Sequence, residues 1–346
     1  VWRGVPLALW RDAAMSWLGK LAVQMQSLGS GFTPQSLTFG EKEVVTTSLI
    51  AEGGYSFVYA ARETGLMASS KQYAVKKVLA QDKATRAIAE MECRLLKELS
   101  GSASFVSCFG TLCKPIANGA QEHWMLLEFC PNGSLVDVLY KKNRAGEYEG
   151  THPPLPQRKV LELLAMVAEA VAHLHALSPP VQHRDLKLEN VLGTAEGRYV
   201  LCDFGSATTR TLSASRTRRE AVAEEEAIAK YSTVMYRAPE MCDLYSGLEI
   251  GPPSDVWALG CIAYALCFRK HPFGADSPLQ IINASYKLPA DSPYGEDVHE
   301  LVRSMLQRRP AERPLASVVV RRCRSLLRAE KAARSGARGG ARSAVE

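Results

Sequence analysis

The sequence lacks a run of apolar residues long enough to cross a membrane, and it lacks any pair of cysteines in C-x-x-C spacing. A membrane-spanning helix needs about 20 consecutive apolar residues, so none is predicted. The nine cysteines are an odd number without the spacing of zinc ligands. This pattern argues against a disulfide framework or a structural zinc site, and we expect a reducing, cytoplasmic location.

Most of the chain also lacks a net charge. Residues 321–346 carry eight Lys or Arg and two Glu, which accounts for the whole formal net charge of +6. Specific nucleic-acid binding is therefore not predicted for the protein as a whole. The Arg, Ala and Gly of this segment predict a chain that stays mobile past about Leu327, with peripheral contact to anionic membranes as its expected role.

The patterning predicts an α+β protein with a β-rich first third and a helical remainder. Short β-branched and aromatic runs predict strands, and longer stretches with apolar residues at helical spacing predict helices. The predicted strands cover residues 44–49, 57–61, 73–78, 105–112 and 124–129, and the predicted helices cover residues 83–99 and 159–177.

The first 39 residues are predicted to be an extension outside the main domain. Its apolar residues recur at helical spacing over Trp17–Leu28, which leaves two alternatives: a docked or disordered extension, or a helix on a membrane surface. Gly29–Gly40, rich in Gly and Ser, is interpreted as a linker.

The strongest chemical signal is His183–Asn190, which reads HRDLKLEN, followed thirteen residues later by Asp203-Phe204-Gly205. Phosphoryl transfer needs a carboxylate that orients the attacking hydroxyl and accepts its proton, which suits Asp185. It needs a cation near the transferred phosphate, which suits Lys187. It also needs oxygen ligands for Mg²⁺, which suit Asn190 and Asp203.

The upstream half supplies candidate nucleotide contacts. Lys76 follows Tyr73-Ala74-Val75 on a predicted strand, where it can hold the α- and β-phosphates. Glu92, on the next predicted helix, is the preferred ion-pair partner of Lys76, and Glu90 is the alternative. The segment Ile50–Val58 occupies the position of a glycine-rich phosphate loop. Its expected nucleotide contacts are Ile50, Ala51, Glu52, Gly53, Gly54 and Val58.

Over residues 40–328 the sequence resembles a eukaryotic protein kinase, and within that superfamily it resembles the Numb-associated kinases, such as the adaptor-associated and cyclin-G-associated kinases. The matching segments are Ala51–Tyr55, Leu201–Thr209, Tyr231–Gly247 and Trp257–Cys261. Ala51, where a glycine-rich loop usually has its first glycine, is a trait of that family.

The resemblance implies a bilobal fold, with an N-lobe over about residues 40–130, a C-lobe over about 131–328, and a basic mobile tail over 329–346. It implies ATP and Mg²⁺ as cofactors. It places the gatekeeper at Leu127 and the hinge at Glu128–Cys130, with Glu128 and Cys130 binding adenine. The residues that would sandwich the adenine ring are Val58, Ala74 and Leu192.

The resemblance also implies phosphorylation of Ser or Thr in protein substrates. Clathrin-adaptor medium chains and a role in vesicle trafficking and endocytosis follow from the same resemblance, with a peripheral location at vesicles or the plasma membrane. We expect a monomer. A pseudokinase scaffold, which binds partners without transferring phosphate, is the alternative; the intact Lys76, Asp185, Asn190 and Asp203 favour the enzyme.

Further residues are interpreted as structural. Glu240 and Arg313 are predicted to form a buried ion pair, and Asp255 is expected to anchor the catalytic loop. The acidic run Glu224–Glu226 is interpreted as a solvated helix face. A phosphate on the Ser- and Thr-rich segment after Asp203 could pair with Arg184, but the family implies an extra helix there, so activity without prior phosphorylation is predicted.

Overall fold

The computed structural model describes residues 32–53, 56–65, 71–144, 146–274 and 278–342. By its contacts, the chain divides into two compact units. The first comprises Val1–His152 with Leu188–Ala207, and the second comprises Pro153–Lys187 with Thr208–Glu346. Among the described residues, no helix is both long and apolar enough to span a membrane. The predicted helix over Trp17–Leu28 lies outside these residues.

The first unit contains an antiparallel sheet with the strand order β1-β2-β3-β4-β6-β5. Its strands are β1 (Ser36–Phe39), β2 (Lys42–Glu52), β3 (Ser56–Glu63), β4 (Gln72–Ala80), β5 (Cys108–Pro115) and β6 (Gln121–Glu128). Apolar side chains from five of these strands form a core on one face of the sheet. Because successive strand residues point to opposite faces, the other face is left for the site residues.

Strand β1 corrects the interpretation of Gly29–Gly40 as a linker and moves the start of the folded part before residue 40. Ser36–Phe39 alternates exposed and buried residues and pairs with β2. Leu37 and Phe39 are 2% and 4% exposed and belong to the sheet core. Four alternating residues are a weak sequence signal beside the neighbouring Gly and Ser, and tertiary packing decides the conformation.

Helix α1 (Lys83–Glu98) packs against β4, β5 and β6. Asp82 caps its first turn by accepting a hydrogen bond of 2.8 Å from Thr85 N, and Thr85 Oγ1 accepts one from Asp82 N in return. Ala89, Glu92, Leu95 and Leu96 lie on the buried face. The cap and this stripe fix the rotation of the helix, which directs Glu92 towards the sheet.

The rest of the first unit is α2 (Leu135–Leu139) with two hairpins, β7 (Tyr140–Lys142) with β8 (Tyr148–Thr151), and β9 (Val191–Gly193) with β10 (Tyr199–Leu201). Single bridges join Phe105 to Leu201 and Ser134 to Leu192. These bridges join Leu188–Ala207 to the first unit, which contains the sheet. The first unit is therefore made of two chain segments, whereas the sequence predicts a single boundary between the lobes near residue 130.

The second unit is helical. Its helices are α3 (Gln157–Ala176), α4 (Arg218–Tyr231), α5 (Pro239–Cys242), α6 (Pro253–Phe268), α7 (Pro278–Ile282), α8 (Glu296–Met305) and α9 (Ala316–Arg342). Helix α6 is buried on all sides from Ser254 to Phe268, and α3 and α8 pack against it. The sheet-rich first unit and the helical second unit confirm the predicted α+β fold.

Helix α9 includes most of the segment that is predicted to be a mobile tail. It packs against α3 and continues to Arg342, well past residue 329. Gly336, Gly339 and Gly340 disfavour a helix, whereas the Ala and Arg between them are among the better helix formers. Mobility of this segment stays a prediction.

Candidate active site

In the first unit, a lysine on the sheet lies between two carboxylates. Lys76 Nζ, on β4, lies 2.6 Å from Glu92 Oε1 on α1 and 2.8 Å from Asp203 Oδ1. Glu90 is exposed, so the structure selects Glu92 from the two candidates. Burial alone would lower the pKa of Lys76, but the charges of Asp203 and Glu92 raise it above its ordinary value. Lys76 therefore stays protonated at neutral pH.

With both carboxylates ionised, the cluster of Lys76, Glu92 and Asp203 has a formal charge of one negative unit. A Cβ added at Gly205 would lie 3.3 Å from Asp203 Oδ1 and 3.8 Å from Lys76 Nζ, so any side chain at this position would crowd the cluster. Asp203 itself has a φ of 65°, in the left-handed region. Such strained non-glycine residues occur often at functional sites.

The β9–β10 hairpin brings Asn190 next to Asp203. Val191 pairs with Leu201, and Cys202 N donates a hydrogen bond of 2.9 Å to Asn190 O. An amide and a carboxylate thus flank the open end of the hairpin, and such oxygen donors suit Mg²⁺. Among the described residues, no group of three or more His, Cys, Asp or Glu side chains could hold a metal ion.

The segment predicted as a phosphate loop is a hairpin between β2 and β3. Gly53 N donates a hydrogen bond of 2.7 Å to Ser56 O, and a Cβ at Gly53 would lie 3.0 Å from Ser56 Oγ. Ile50, Ala51 and Glu52 lie on β2 before the turn. Gly54 and Tyr55 lie outside the described residues. Contact of this turn with phosphate stays a prediction.

Val58, Ala74 and Leu127, three of the residues predicted for the adenine site, share one face of the sheet with Lys76. Val58 pairs with Lys76, and Ala74 pairs with Leu127, so all four side chains point to the same face. Leu192 lies on β9, which is bridged to Ser134. These apolar positions on a common face suit a flat aromatic ring.

The predicted hinge follows β6 directly. Glu128 N donates to Ser107 O at 2.9 Å, and Glu128 Oε2 accepts from Ser107 Oγ at 2.9 Å, which fixes the start of the segment. Burial and the charge of Glu128 raise the pKa of the Cys130 thiol to about 12, so this cysteine is protonated. Burial also raises the pKa of Cys202 well above its ordinary value, which agrees with the interpretation of an inert thiol.

In the second unit, Asp185 is held on both carboxylate oxygens. Lys187 Nζ donates to Oδ2 at 2.7 Å, and Thr233 donates to Oδ1 through its backbone N at 2.9 Å and its hydroxyl at 2.7 Å. Lys187 Nζ also donates to Thr233 Oγ1 at 3.0 Å. Asp185 and Lys187 are 9% and 7% exposed. The carboxylate therefore has a fixed orientation and an adjacent positive charge.

Asp255, on α6, anchors the loop that carries Asp185. Its carboxylate accepts hydrogen bonds from the backbone N of His183 at 2.8 Å and of Arg184 at 3.0 Å. His175 Nε2 lies 2.9 Å from the same carboxylate. Burial alone would raise the pKa of Asp255, but the hydrogen bond and charge of His175 lower it below its ordinary value. Asp255 thus stays ionised, as a scaffold residue.

The predicted ion pair between Glu240 and Arg313 is present in the same unit. Two parallel hydrogen bonds of 2.7 Å join the guanidinium to the carboxylate, and both side chains are fully buried. Arg313 also donates to the carbonyl oxygens of Pro253 and Gln307 at 2.8 and 2.9 Å. Every polar atom of the pair is thus engaged, as a buried charge requires.

One important residue was misjudged from the sequence. The prediction of a solvated face is wrong for Glu224 of α4, which is 7% exposed, although Glu225 and Glu226 are exposed. Glu224 Oε1 lies 3.0 Å from Arg184 Nη1, and its Oε2 lies 2.7 Å from Arg210 Nη2. Its spacing from the buried Ala221 and Ile228, at three and four residues, is the signal that places Glu224 on the inward stripe.

The chain is similar in sequence to known proteins. A model of the protein kinase domain matches residues 44–322. A probable serine/threonine-protein kinase of Dictyostelium discoideum is 35% identical over 290 residues, which cover 83% of this chain and 34% of that protein. A protein kinase domain-containing protein of Schizosaccharomyces pombe is 36% identical over 293 residues, which cover 84% of this chain and 44% of that protein.

The chain spans less than half the length of these two relatives. The match to the domain nevertheless covers most of this chain, and it includes Lys76, Glu92, Asp185, Asn190 and Asp203. The chain therefore belongs to the protein kinase family.

Proposed function

We propose that this protein is an active serine/threonine kinase that transfers the γ-phosphate of ATP to a protein hydroxyl. The observation that carries the proposal is the double restraint of Asp185 by Lys187 and Thr233. A carboxylate held on both oxygens beside a cation is preorganised to orient a hydroxyl and accept its proton.

The first unit supports ATP and Mg²⁺ as the cofactors. Lys76 is the cation for the phosphates, and Glu92 holds it in place. Asn190 and Asp203 would hold Mg²⁺, and the residual negative charge of the lysine cluster suits a divalent cation. When bound, the metal ion would neutralise part of the negative charge on the phosphates. Val58, Ala74, Leu127 and Leu192 would hold the adenine ring, and the backbone of Glu128 and Cys130 would bind its edge.

The contacts of Asp185 favour Ser or Thr as the acceptor. The hydroxyl of a short acceptor side chain must come close to Asp185. Lys187 and Thr233 hold the Asp185 carboxylate in position for this approach. A tyrosine phenol extends several ångströms further from its backbone, which requires a substrate chain held farther away. One relative described above is named a probable serine/threonine-protein kinase, which supports this choice.

The pseudokinase alternative is not favoured. A scaffold has no chemical need for Lys76, Asp185, Asn190 and Asp203 together, and the ion pairs around them keep charged groups buried at a cost in desolvation. Within the kinase family, the motifs Ala51–Tyr55 and Tyr231–Gly247 support membership of the Numb-associated group. On that basis we include clathrin-adaptor medium chains among the proposed substrates, and a cytoplasmic location with peripheral contact at anionic membranes.

A transfer assay with the full chain and ATP labelled at the γ-position tests this function. The acceptors are an adaptor medium-chain peptide and a generic basic protein, with Asp185→Asn as the matched inactive variant. We expect label on Thr or Ser of the acceptor, no transfer by Asp185→Asn, and ATP affinity of that variant within about twofold of the wild type. Labelled phosphotyrosine as the main product, or equal transfer by both proteins, would reject the assignment.

A further inference from the structure

Arg184 stands directly before Asp185 and adopts an unusual backbone conformation. Its φ is 66°, in the left-handed region that non-glycine residues rarely occupy. Its backbone N donates to Asp255 Oδ1 at 3.0 Å. A strained residue next to the catalytic carboxylate keeps its conformation only where surrounding contacts hold it. The contacts of the Arg184 side chain therefore bear on the position of Asp185.

The guanidinium of Arg184 is bound on three sides. Nη1 donates to Glu224 Oε1 at 3.0 Å, Nε donates to Gln182 Oε1 at 2.8 Å, and Nη2 donates to Arg210 O at 3.2 Å. The side chain is only 7% exposed. Glu224 is the one anion among these partners, so it provides the charge that balances the buried guanidinium.

Glu224 comes from α4, in the segment between Asp203 and Glu240. Its second oxygen accepts a hydrogen bond of 2.7 Å from Arg210 Nη2, so one carboxylate joins two guanidinium groups. The same segment is tied to the catalytic loop by paired backbone hydrogen bonds between Gln182 and Thr208, at 2.8 and 2.9 Å. A pair of arginines around one carboxylate is an arrangement that also binds phosphate.

We propose that Glu224 is a positioning residue that acts through Arg184 on Asp185. Its carboxylate supplies, as part of the fold, the negative charge that a phosphorylated side chain of this segment would otherwise bring to Arg184. The kinase therefore needs no phosphate on Thr208–Thr217 to order its catalytic loop. This inference rests on the proposed kinase activity and names how that activity is regulated.

The hydroxyls of the segment have other contacts. Thr208 Oγ1 accepts from Arg210 N at 3.0 Å, and the Ser213 and Ser215 hydroxyls lie 3.1 Å apart. Thr217 caps α4 by accepting from Glu220 N at 3.3 Å. None of these contacts joins a hydroxyl to the Arg184 guanidinium, which is already bound by Glu224.

The test compares Glu224→Gln with Glu225→Gln, its exposed neighbour on the same helix. We expect Glu224→Gln to lower kcat by about 10- to 100-fold, because a charged hydrogen bond to a buried group is lost. The KM for ATP should stay within about twofold, since the nucleotide residues lie in the first unit. Glu225→Gln should match the wild type, and phosphatase treatment should leave wild-type activity unchanged.

A double-mutant cycle separates positioning from a general effect on folding. In an Arg184→Gln background, Glu224→Gln should cause little further loss of kcat, because its target is already gone. Arg210→Gln, which removes an exposed partner, is the second variant should Glu224→Gln fold poorly; we expect it to reduce kcat less. Additive losses, or a kcat of Glu224→Gln equal to wild type, would overturn the inference while leaving the kinase assignment intact.

Hydrogen–deuterium exchange over residues 182–187 tests the same link without requiring turnover. We expect faster exchange in Glu224→Gln than in wild type or Glu225→Gln, since the loop loses its side-chain restraint. Unchanged exchange would overturn the inference. A wild-type protein that transfers no phosphate yet shows this exchange difference would reject the kinase proposal alone.

Discussion

The Thr233 hydroxyl donates a hydrogen bond of 2.7 Å to Asp185 Oδ1 and accepts one of 3.0 Å from Lys187 Nζ. Forty-eight residues separate Thr233 from Asp185 along the chain. One side chain thus fixes both the carboxylate and the cation of the catalytic loop. Thr233 lies seven residues before Glu240 of α5. The segment that leads into α5 therefore contacts the proposed catalytic carboxylate directly.

The first prediction concerns this hydroxyl. Thr233→Ala should lower kcat by roughly 10- to 100-fold, since a hydrogen bond to a charged group contributes about 1.5–3 kcal/mol. The KM for ATP should change little. Thr233→Ser keeps the hydroxyl and is the control, with activity expected within a few-fold of wild type. Steady-state kinetics check both variants, and equal kcat for the Ala and Ser forms would contradict the role.

The second prediction concerns Asp203, the proposed metal ligand. Asp203→Asn should weaken ATP binding in the presence of Mg²⁺ by roughly tenfold or more, because the cluster with Lys76 and Glu92 loses its residual negative charge. Binding of ATP in EDTA should be much less affected. Calorimetry with and without Mg²⁺ measures this difference. Glu90→Gln, on the exposed side of α1, is the matched control.

Unchanged affinity of Asp203→Asn for ATP with Mg²⁺ would remove Asp203 from the set of metal ligands. An equal loss of affinity in EDTA would indicate instead that the substitution disturbs Lys76, whose Nζ lies 2.8 Å from Asp203 Oδ1.

Much of this site could be predicted from sequence because its residues lie in local motifs. Asp185, Lys187 and Asn190 fall within six residues, and the β9–β10 hairpin that links Asn190 to Asp203 is short. Lys76 and Glu92 lie on neighbouring elements with clear periodicity. Strand β4 over Gln72–Ala80 and helix α3 over Gln157–Ala176 were likewise predictable from their periodicity.

What the sequence could not provide depends on contacts between distant segments. Glu224 is buried because two arginines, 40 and 14 residues away, surround it. Its helical spacing from Ala221 and Ile228 indicates the inward side of the helix, but the sequence does not show that these arginines lie there. Strand β1 exists because Leu37 and Phe39 fill the sheet core. In both cases tertiary packing overrides the local signal.

The third prediction concerns stability. Arg313→Leu leaves Glu240 as a buried charge without its partner, which costs about 3–5 kcal/mol of the free energy of unfolding. Arg309→Leu is the control, because its ion pair with Glu312, at 3.9 Å, is exposed and worth about 0–1 kcal/mol. Denaturant unfolding of both variants tests the difference. Similar losses of unfolding free energy in the two variants would show that the buried pair contributes no more stability than the exposed one.

The last prediction concerns the basic end of α9. Residues 330–346 carry four Lys or Arg and two Glu, and each cation near an anionic bilayer contributes about 1 kcal/mol. Replacing Arg334, Arg338 and Arg342 with Gln should therefore reduce retention on acidic liposomes at low salt, while kcat stays unchanged. Raised salt should abolish retention of the wild type as well, because it shortens the screening length.

Arg309→Gln, which removes an exposed cation outside this segment, should bind as the wild type does. Equal retention of the wild type and the triple variant at low salt would mean that this end of the helix has no role at membranes.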